Sequence, residues 1–588
     1  MAPARALALL GLAACSSSLI GDGTVGGDGG TVTDARPGGD IDARPGGAID
    51  ARPGGTIDAR PGGDIDARPG GDIDAGVVSA APTCALPFGP VDVSSPTTVV
   101  GAGATSCDAT SLAAAVTKGG ITFACGGAAT IHLTAELTPP RNVDTTIDGG
   151  GVITLDGGGQ TRILRFDGGD YRKTGTRITL QHLTLTGGHA SGSALPSEAP
   201  PCSQGFDTDA GGGAVLVRDG VLHVVDCTFA GNAGATPGPD VAGGGVYVNG
   251  SKETVIMGSR FTGNTASNGG AVGALNSDLA IYTSVLADNT ATGTGGNNTS
   301  DACSSPSHEI GDGGSGGAVY MDGGSEGDTV FCGVAFTGNH ANALGGAIFR
   351  VYDIGRHALV LDQSTLDGNV CDGPTGTDGT GSSAGALYAH NTDLRVTAST
   401  IANNTAPTCG AVQADATVLD FTNVTLAGNI ASHGIGGGLC IFSEGGTLAS
   451  CTLAGNQANG GSSFSDFYGA AIFGGNLTIQ NSLIADNTTE NSMGRMSCAH
   501  TEAGSHDLQW PKNKVVGGSA DSECVSGITF ADPQLGSLPA ALTDNGGPTR
   551  TMRPTAAPAV IQIGSGCPPT DQTGRPRADP CTLGALEN

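Results

Sequence analysis

Aromatic side chains are scarce in this sequence: one tryptophan, seven tyrosines and fifteen phenylalanines in 588 residues. So little bulk cannot fill the wide interiors of several ordinary globular domains, and a narrow core repeated along an axis fits better. Basic residues are scarce as well. Lys and Arg number 26 against 55 Asp and Glu, a net charge of −29. Nucleic acid is excluded as a partner, because neutralising phosphates takes clustered Lys and Arg. The same acidity disfavours adsorption to an anionic membrane. Past the first fifteen residues no run of 18 uninterrupted apolar residues occurs, which leaves no candidate for a membrane-spanning helix. The motifs of zinc sites, phosphate-binding loops, dinucleotide folds and Ser-His-Asp hydrolases are missing too. What the chain has in abundance is glycine, 102 of them.

The first residues, MAPARALALLGLAAC, combine one early arginine (Arg5), a short apolar run and a small-residue exit. This is the pattern of an export signal, too short to span a bilayer as a helix. Its end, Leu12-Ala13-Ala14-Cys15, resembles the lipobox of bacterial lipoproteins. The resemblance implies removal of residues 1–14, acylation of Cys15 and, since Ser16 rather than Asp follows, sorting to the outer membrane. Cys15 is therefore the expected lipidation site, and the cell surface or outer membrane the expected address. Residues 34–76 then repeat Asp-Ala-Arg-Pro-Gly-Gly in eight-residue units with one Ile each. No core forms from that composition, so residues 15–80 read as a disordered tether with a reach of about 45 Å, taking ~5–6 Å × √n.

From Cys227 to Asn487 two motifs alternate. One is CTFAGN, SRFTGN, SVLADN, VAFTGN, STLDGN, STIANN, VTLAGN, CTLAGN and SLIADN, each with a large apolar residue three places before its final Asn. The other is a glycine pair or its variant followed by alternating apolar residues: GGGAVLV at Gly211, GGGVYV at Gly243, GGAVYM at Gly316, GGAIFR at Gly345. Self-similarity at a period of about 25 residues signals a solenoid, and the two-residue alternation within it signals strands. Three short strands turned by Gly and Asn complete one coil, and coils stack in parallel at about 4.8 Å. Some nine coils make a rod about 50–60 Å long by that spacing. The repeated Asn is expected at a left-handed turn position, its side chain bonding to the Asn of the next coil.

The alternation of GGAV or GGAI with FxxN is similar to the repeat of bacterial polymorphic outer-membrane proteins, over roughly residues 105–490. That resemblance implies a right-handed parallel β-helix of the pectate-lyase type. The tail, DPQLGSLPAALTDNGGPTRTMRPTAAPAV (Asp532–Val560) and CPPTDQTGRPRADPCTLGALE (Cys567–Glu587), resembles the C-terminal region of choice-of-anchor Q proteins. It departs at Gln562, near where an Asp is usual, and at Thr582-Leu583 before Gly-Ala. The resemblance implies a surface protein, with the N-terminal lipid in place of a translocating barrel. The expected organisation is a signal at 1–14, a tether at 15–80, a β-helix at 81–495, and the last coils with a small C-terminal domain at 496–588.

Sixteen cysteines in an exported chain imply an oxidising compartment. With Cys15 acylated, an odd number remains, so at least one thiol is unpaired or intermolecular. Short connections favour Cys107–Cys125, Cys371–Cys409, Cys498–Cys524 and Cys567–Cys581. Cys227 and Cys451 share the register of Ser259 and Ser284 and read as small buried residues.

Five aromatic residues fall in one register of the glycine series: Tyr247, Tyr320, Phe349, Tyr388 and Phe473. Alternation turns Val246 and Val248 inward and these rings outward, where they are the candidate platform for a sugar face or a peptide strand. The competing reading stacks them on each other, or covers them with the insertions at 191–210 and 292–315. Asp148 and Asp156 lie on consecutive glycine turns and are the candidate pair for a shared calcium ion; alternatively each caps its own turn. No other cofactor is called for. HNTD (His390–Asp393) resembles the Asn-Thr-Asp of galacturonases, but aligns here with the turn Asn276–Asp278, and the companion motifs are absent. No residue is therefore assigned a catalytic role. The function expected is non-enzymatic adhesion to glycan or to a surface protein; the alternative is a polysaccharide lyase or glycoside hydrolase, and a third reading is a passive coat.

Overall fold

The structure is a computed structural model that describes residues 80–588 except 104–105, 193–207, 236–237, 239–240, 297–312, 354, 374–381, 460–467, 491–495 and 556–557. The expected signal, Cys15 and the tether lie outside the described residues.

The chain is a right-handed parallel β-helix. One coil runs Val246–Asn249, Glu253–Met257, Arg260–Thr262, Thr265–Ala266; the next runs Val272–Leu275, Leu279–Tyr282, Val285–Ala287, Thr290–Ala291. Corresponding strands pair in parallel, so the coils build a 26-stranded, a 10-stranded and an 8-stranded sheet. The alternation seen in the sequence decides which side chains enter. Val246, Val248, Ile256 and Phe261 are fully buried, and the next coil repeats them as Val272, Ala274, Ile281 and Leu286. Where two phenylalanines fall at one level, Phe229 and Phe261, they stack at 4.5 Å. Parallel strands place like above like, so the narrow interior is filled by columns of one side-chain type.

The repeated asparagines form one such column. Asn264 donates from Nδ2 to Asn289 Oδ1 (2.9 Å) and to Phe229 O (3.0 Å), and accepts from Asn232 Nδ2 (2.9 Å) and Asn232 N (3.1 Å). The pattern continues through Asn339, Asn369, Asn404, Asn429 and Asn456 to Asn487, every one fully buried. Each amide is satisfied on both sides, which is what makes so polar a column tolerable in the interior.

The left-handed residue of this turn is not the Asn itself but the one before it. Gly231, Gly263, Asp288, Gly338, Gly368, Asn403, Gly428, Gly455 and Asp486 all have positive φ, and the ladder asparagines do not. The strained position thus falls on Gly, Asp or Asn, the residues that tolerate it best.

A second column lies at the corner between the two strands that each coil gives the long sheet. Cys227 N donates to Ser259 Oγ (3.1 Å), Ser259 N to Ser284 Oγ (3.0 Å) and Ser364 N to Ser399 Oγ (3.0 Å). Cys227 and Cys451 are buried free thiols in this column, as their register implied. Again the preceding residue is left-handed: His182, Asp226, Gly258, Thr283, Gly333, Gln363, Ala398, Asn423, Ser450, Asn481 and His506.

The first and the last described segments both return to this corner. Residues 80–97 run as a strap across the early coils. Val91 N and O bond Gln181 (2.9 and 3.0 Å), Phe88 stacks on His223 at 4.1 Å, Cys84 is joined to Cys332, and Thr83 N donates to Gln363 Oε1 (2.9 Å). Residues 531–588, the expected small C-terminal domain, pack along the same corner over the later coils. Thr549 Oγ1 donates to Ala398 O (3.1 Å), Asn423 Nδ2 to Thr570 O (2.8 Å) and Asn481 Nδ2 to Ser565 O (3.0 Å). Beneath this cover Leu535, Leu542, Met552, Val560 and Leu583 pack on Ala402, Ala427, Ala454, Ala485 and Leu508.

The first coil is closed by a helix, Ala109–Val116, that the all-β reading of the sequence does not contain. Asp108 caps it by accepting from Ser111 N (2.8 Å), and Leu112, Ala115 and Val116 face the core. The last coil is closed by acids and amides. Asp507 takes the corner serine position, accepting from Ser482 N (2.8 Å), and Asp521 accepts from Met496 N (2.8 Å) and Ser497 N (3.0 Å).

Three of the four expected disulfides are present: Cys107–Cys125, Cys498–Cys524 and Cys567–Cys581. The fourth is corrected. Cys371 is a buried free thiol and Cys409 is joined instead to Cys440. Cys371 ends the strand Val370–Cys371 and packs inward in a small-residue column with Ala291, Ala341 and Ala406. In the coil that follows, its equivalent is Ala406, not Cys409. Cys84–Cys332, across 248 residues, has no local signature in the sequence.

Candidate functional site

The aromatic register is real, but it is not an open platform. Strand pairing puts Leu216, Tyr247, Gly273, Tyr320, Phe349, Tyr388, Gln413, Cys440 and Phe473 in one outward row. Tyr320 stacks on Phe349 at 5.1 Å and Phe349 on Tyr388 at 5.3 Å. Tyr247 and Tyr320 are 0 % exposed and Phe349 6 %. The row forms its own hydrophobic cluster outside the main core, with Leu216 and Ala242. The ring of Tyr247 leans over Gly273, where a Cβ would come within 2.9 Å of it. A fully buried ring offers no face to a ligand, so Tyr247, Tyr320 and Phe349 are corrected from candidate binding residues to a second, outer packing layer. Tyr388 and Phe473 are partly exposed, Tyr388 against Phe349 and Phe473 tilted on Phe442 at 5.7 Å.

Asp148 and Asp156 each cap a turn of their own, accepting from Gly150 N (2.8 Å) and Gly158 N (2.7 Å). Each also faces a histidine, His182 at 3.1 Å and His132 at 2.9 Å. Their oxygens are spent on separate partners, and among the described residues neither belongs to a group of three or more metal-ligating side chains. Asn391 and Asn276 share the left-handed conformation, as their alignment required, and Asp393 is ion-paired to Arg356 Nε at 2.7 Å.

One concavity among the described residues was announced by no motif. Between the later coils and the C-terminal cover lies a groove of about 640 Å³. The coils contribute Gly455, Gln457, Asp486, Thr488 and Trp510, the only tryptophan of the chain; the cover contributes Asp532, Gln534, Ser537, Leu538 and Met552.

The column of left-handed residues shapes this wall. At Gly455 and Gly428 the missing side chains make room for Leu538, whose Cδ1 would lie 2.6 and 3.2 Å from an added Cβ. At the next level the column holds Asp486 instead, which brings a carboxylate into the groove, its backbone N bonded to Trp510 O (2.8 Å). Across from it Asp532 accepts from Gln534 N (2.8 Å). Surrounding protein raises the Asp486 pKa above the usual carboxylate range, and the charge of Asp532 adds to this. No Lys, Arg or His lines the groove.

A half-buried indole among amides, hydroxyls and carboxylates suits a sugar ring, whose C–H face stacks on the aromatic ring and whose hydroxyls find polar partners. Sequence reasoning could have singled out Trp510 by its uniqueness. It could not have placed Asp532 and Leu538 beside it.

No family model matches this sequence, and no curated protein is similar to it. Fold and groove together describe a disulfide-braced β-helix protein with a lateral cleft, and its function is argued from that geometry.

Proposed function

We propose that this is an exported lipoprotein of the outer membrane or cell surface that binds a glycan without cleaving it, holding the sugar in the groove at Trp510. The observation that carries the reading is that groove: the chain's single tryptophan set among polar side chains on a rigid wall of stacked coils. Five disulfides among the described residues support an oxidising, extracytoplasmic location. The lipid anchor at Cys15 rests on the lipobox resemblance and on the tether composition of residues 15–80. With acids and no bases in the groove, neutral or amine-bearing glycans bind better than uronates.

The enzyme reading is favoured by one observation, the pairing of Asp486, its pKa raised, with Asp532 across the groove. That is how an acid and its partner begin to differentiate in glycosidases.

A single experiment addresses both. Trp510 is the only indole, so its fluorescence reports this site and no other. Titrating the oxidised protein with soluble glucans, chitosan oligomers and polygalacturonate, then sizing the polymers, gives the answer. The binding reading expects saturable quenching or a blue shift with polymer length unchanged. Shortened polymer, with activity lost in Asp486→Asn, would establish the enzyme instead; no spectral change with any glycan would remove the site.

A further inference from the structure

The described chain begins in mid-stack, not beside the capping helix. Residue 80 lies beyond Thr83, whose N and Oγ1 both bond Gln363 Oε1 (2.9 and 3.1 Å) in the coil of Ala358–Asp362. From there the strap crosses, in order, the corners at Cys332, His223 and Gln181 before the chain enters the first coil strand Thr98–Val100. Its covalent fastening is one coil below its exit: Cys84 is bonded to Cys332, and Pro82 packs on Gly333, where a Cβ would come within 2.6 Å of it.

We propose that this fastening makes the strap a mechanical bypass. A pull on the tether enters the β-helix at the coil of Cys332 and never reaches the residues between Cys84 and Cys332. The reason is connectivity. Force follows the covalent path of least slack, and the disulfide shortens that path from 248 residues to one bond. Without it the same pull would peel Phe88 and Val91 from the corner, extract Thr98–Val100 and open the capping helix. That helix, Ala109–Val116, is only 8 residues long. Parallel β-helices unravel coil by coil from an opened end, since each coil contacts only its neighbours. Fastening the anchor in mid-stack protects the weaker end. The groove of the proposed function lies on coils after Cys332, so tension between anchor and ligand would cross only the coils between; that clause rests on the glycan reading, and the bypass itself does not.

The test stretches the full exported chain between its two ends in a single-molecule force experiment. Oxidised wild type is compared with the double variant Cys84→Ser, Cys332→Ser, and with wild type under reductant. The bypass expects the variant to begin unfolding at lower force, and its total extension to exceed wild type by up to about 900 Å, from ~3.6 Å per residue over the released loop. Wild type under reductant should extend further still, because the loops of 18, 31, 26 and 14 residues behind the other described disulfides open as well; an excess larger than those four loops can supply keeps the test valid should the variant fold poorly. Equal extension of the variant and oxidised wild type would overturn the proposal, as would a first rupture in oxidised wild type that releases residues between 85 and 331. Neither result depends on any glycan being bound.

Discussion

The strap and the C-terminal cover use the same corner of the same coils in opposite ways. The strap touches its six corners, from His182 to Gln363, through a few isolated contacts, and most of its residues stay exposed, Leu86 at 49 % and Val91 at 40 %. The cover meets Ala398, Asn423 and Asn481 with side-chain bonds to the backbone and buries a cluster of its own, including Val560 and Leu583 at 0 %. A covalent bond does for the strap what burial does for the cover. The difference also decides where a groove can form. A thin strap lies flat on the corner, whereas a folded cover stands off the wall and encloses a cleft at its rim.

The sharpest way to break the comparison is to remove one apolar side chain from each. Leu583→Ala should cost about 3 kcal/mol in urea unfolding, in the range for a fully buried leucine. Phe88→Ala, half-buried on His223, should cost at most about 1 kcal/mol. Equal costs would mean that the strap is packed as tightly as the cover.

The ladder should be indifferent to which end covers it. Asn264→Ala, in a coil the strap crosses, and Asn429→Ala, in a coil the cover crosses, each orphan the same donors and acceptors, so each should lose about 2–3 kcal/mol. A difference well above 1 kcal/mol would show that the ends reach through to the interior.

The glycine column separates backbone strain from crowding. Gly263 and Gly455 have φ of +61° and +64°, but an added Cβ meets nothing within 4 Å at Gly263 and Leu538 at 2.6 Å at Gly455. Alanine should cost about 1 kcal/mol at Gly263 from the left-handed backbone alone, and roughly twice that or more at Gly455.

A pH-dependent effect is expected at the last coil. Burial pushes Asp507 up to about 7, and its Oδ2 has no hydrogen-bond partner. A carboxyl whose folded pKa exceeds its unfolded value holds its proton more tightly when folded. Its contribution to stability is full below about pH 4, declines as pH rises through 4 to 7, and is flat above. Asp507→Asn keeps the bond from Ser482 N and should flatten that part of the stability profile; an unchanged profile would place the titration elsewhere.

What the sequence made legible follows from what repeats. The coils, the asparagine column, the inward valines and the buried Cys227 and Cys451 are all consequences of a local period, and a period is visible without neighbours. The asparagine column also shows the limit of such reading: its bonds were foreseen, but the left-handed turn was assigned to Asn rather than to the Gly or Asp before it. The aromatic row was read correctly in register; of the two readings of its exposure the one that stacks the rings on each other holds for Tyr320, Phe349 and Tyr388, with Leu216 and Ala242 completing the cluster around Tyr247. A small C-terminal domain was expected, but where it docks, the strap and the groove were invisible. Thr83 meets Gln363 and Gln572 meets Ser399 across hundreds of residues, with no repeat to announce it.

The N-terminal strap is fastened to the middle of the coil stack, and non-reducing peptide mapping by mass spectrometry of the oxidised protein reads that bond itself. A cross-linked peptide pair carrying Cys84 and Cys332 is expected, with a second carrying Cys409 and Cys440 and with Cys371 recovered as a thiol. Cys84 found free, or joined to any other cysteine, would mean that the strap is not fastened there.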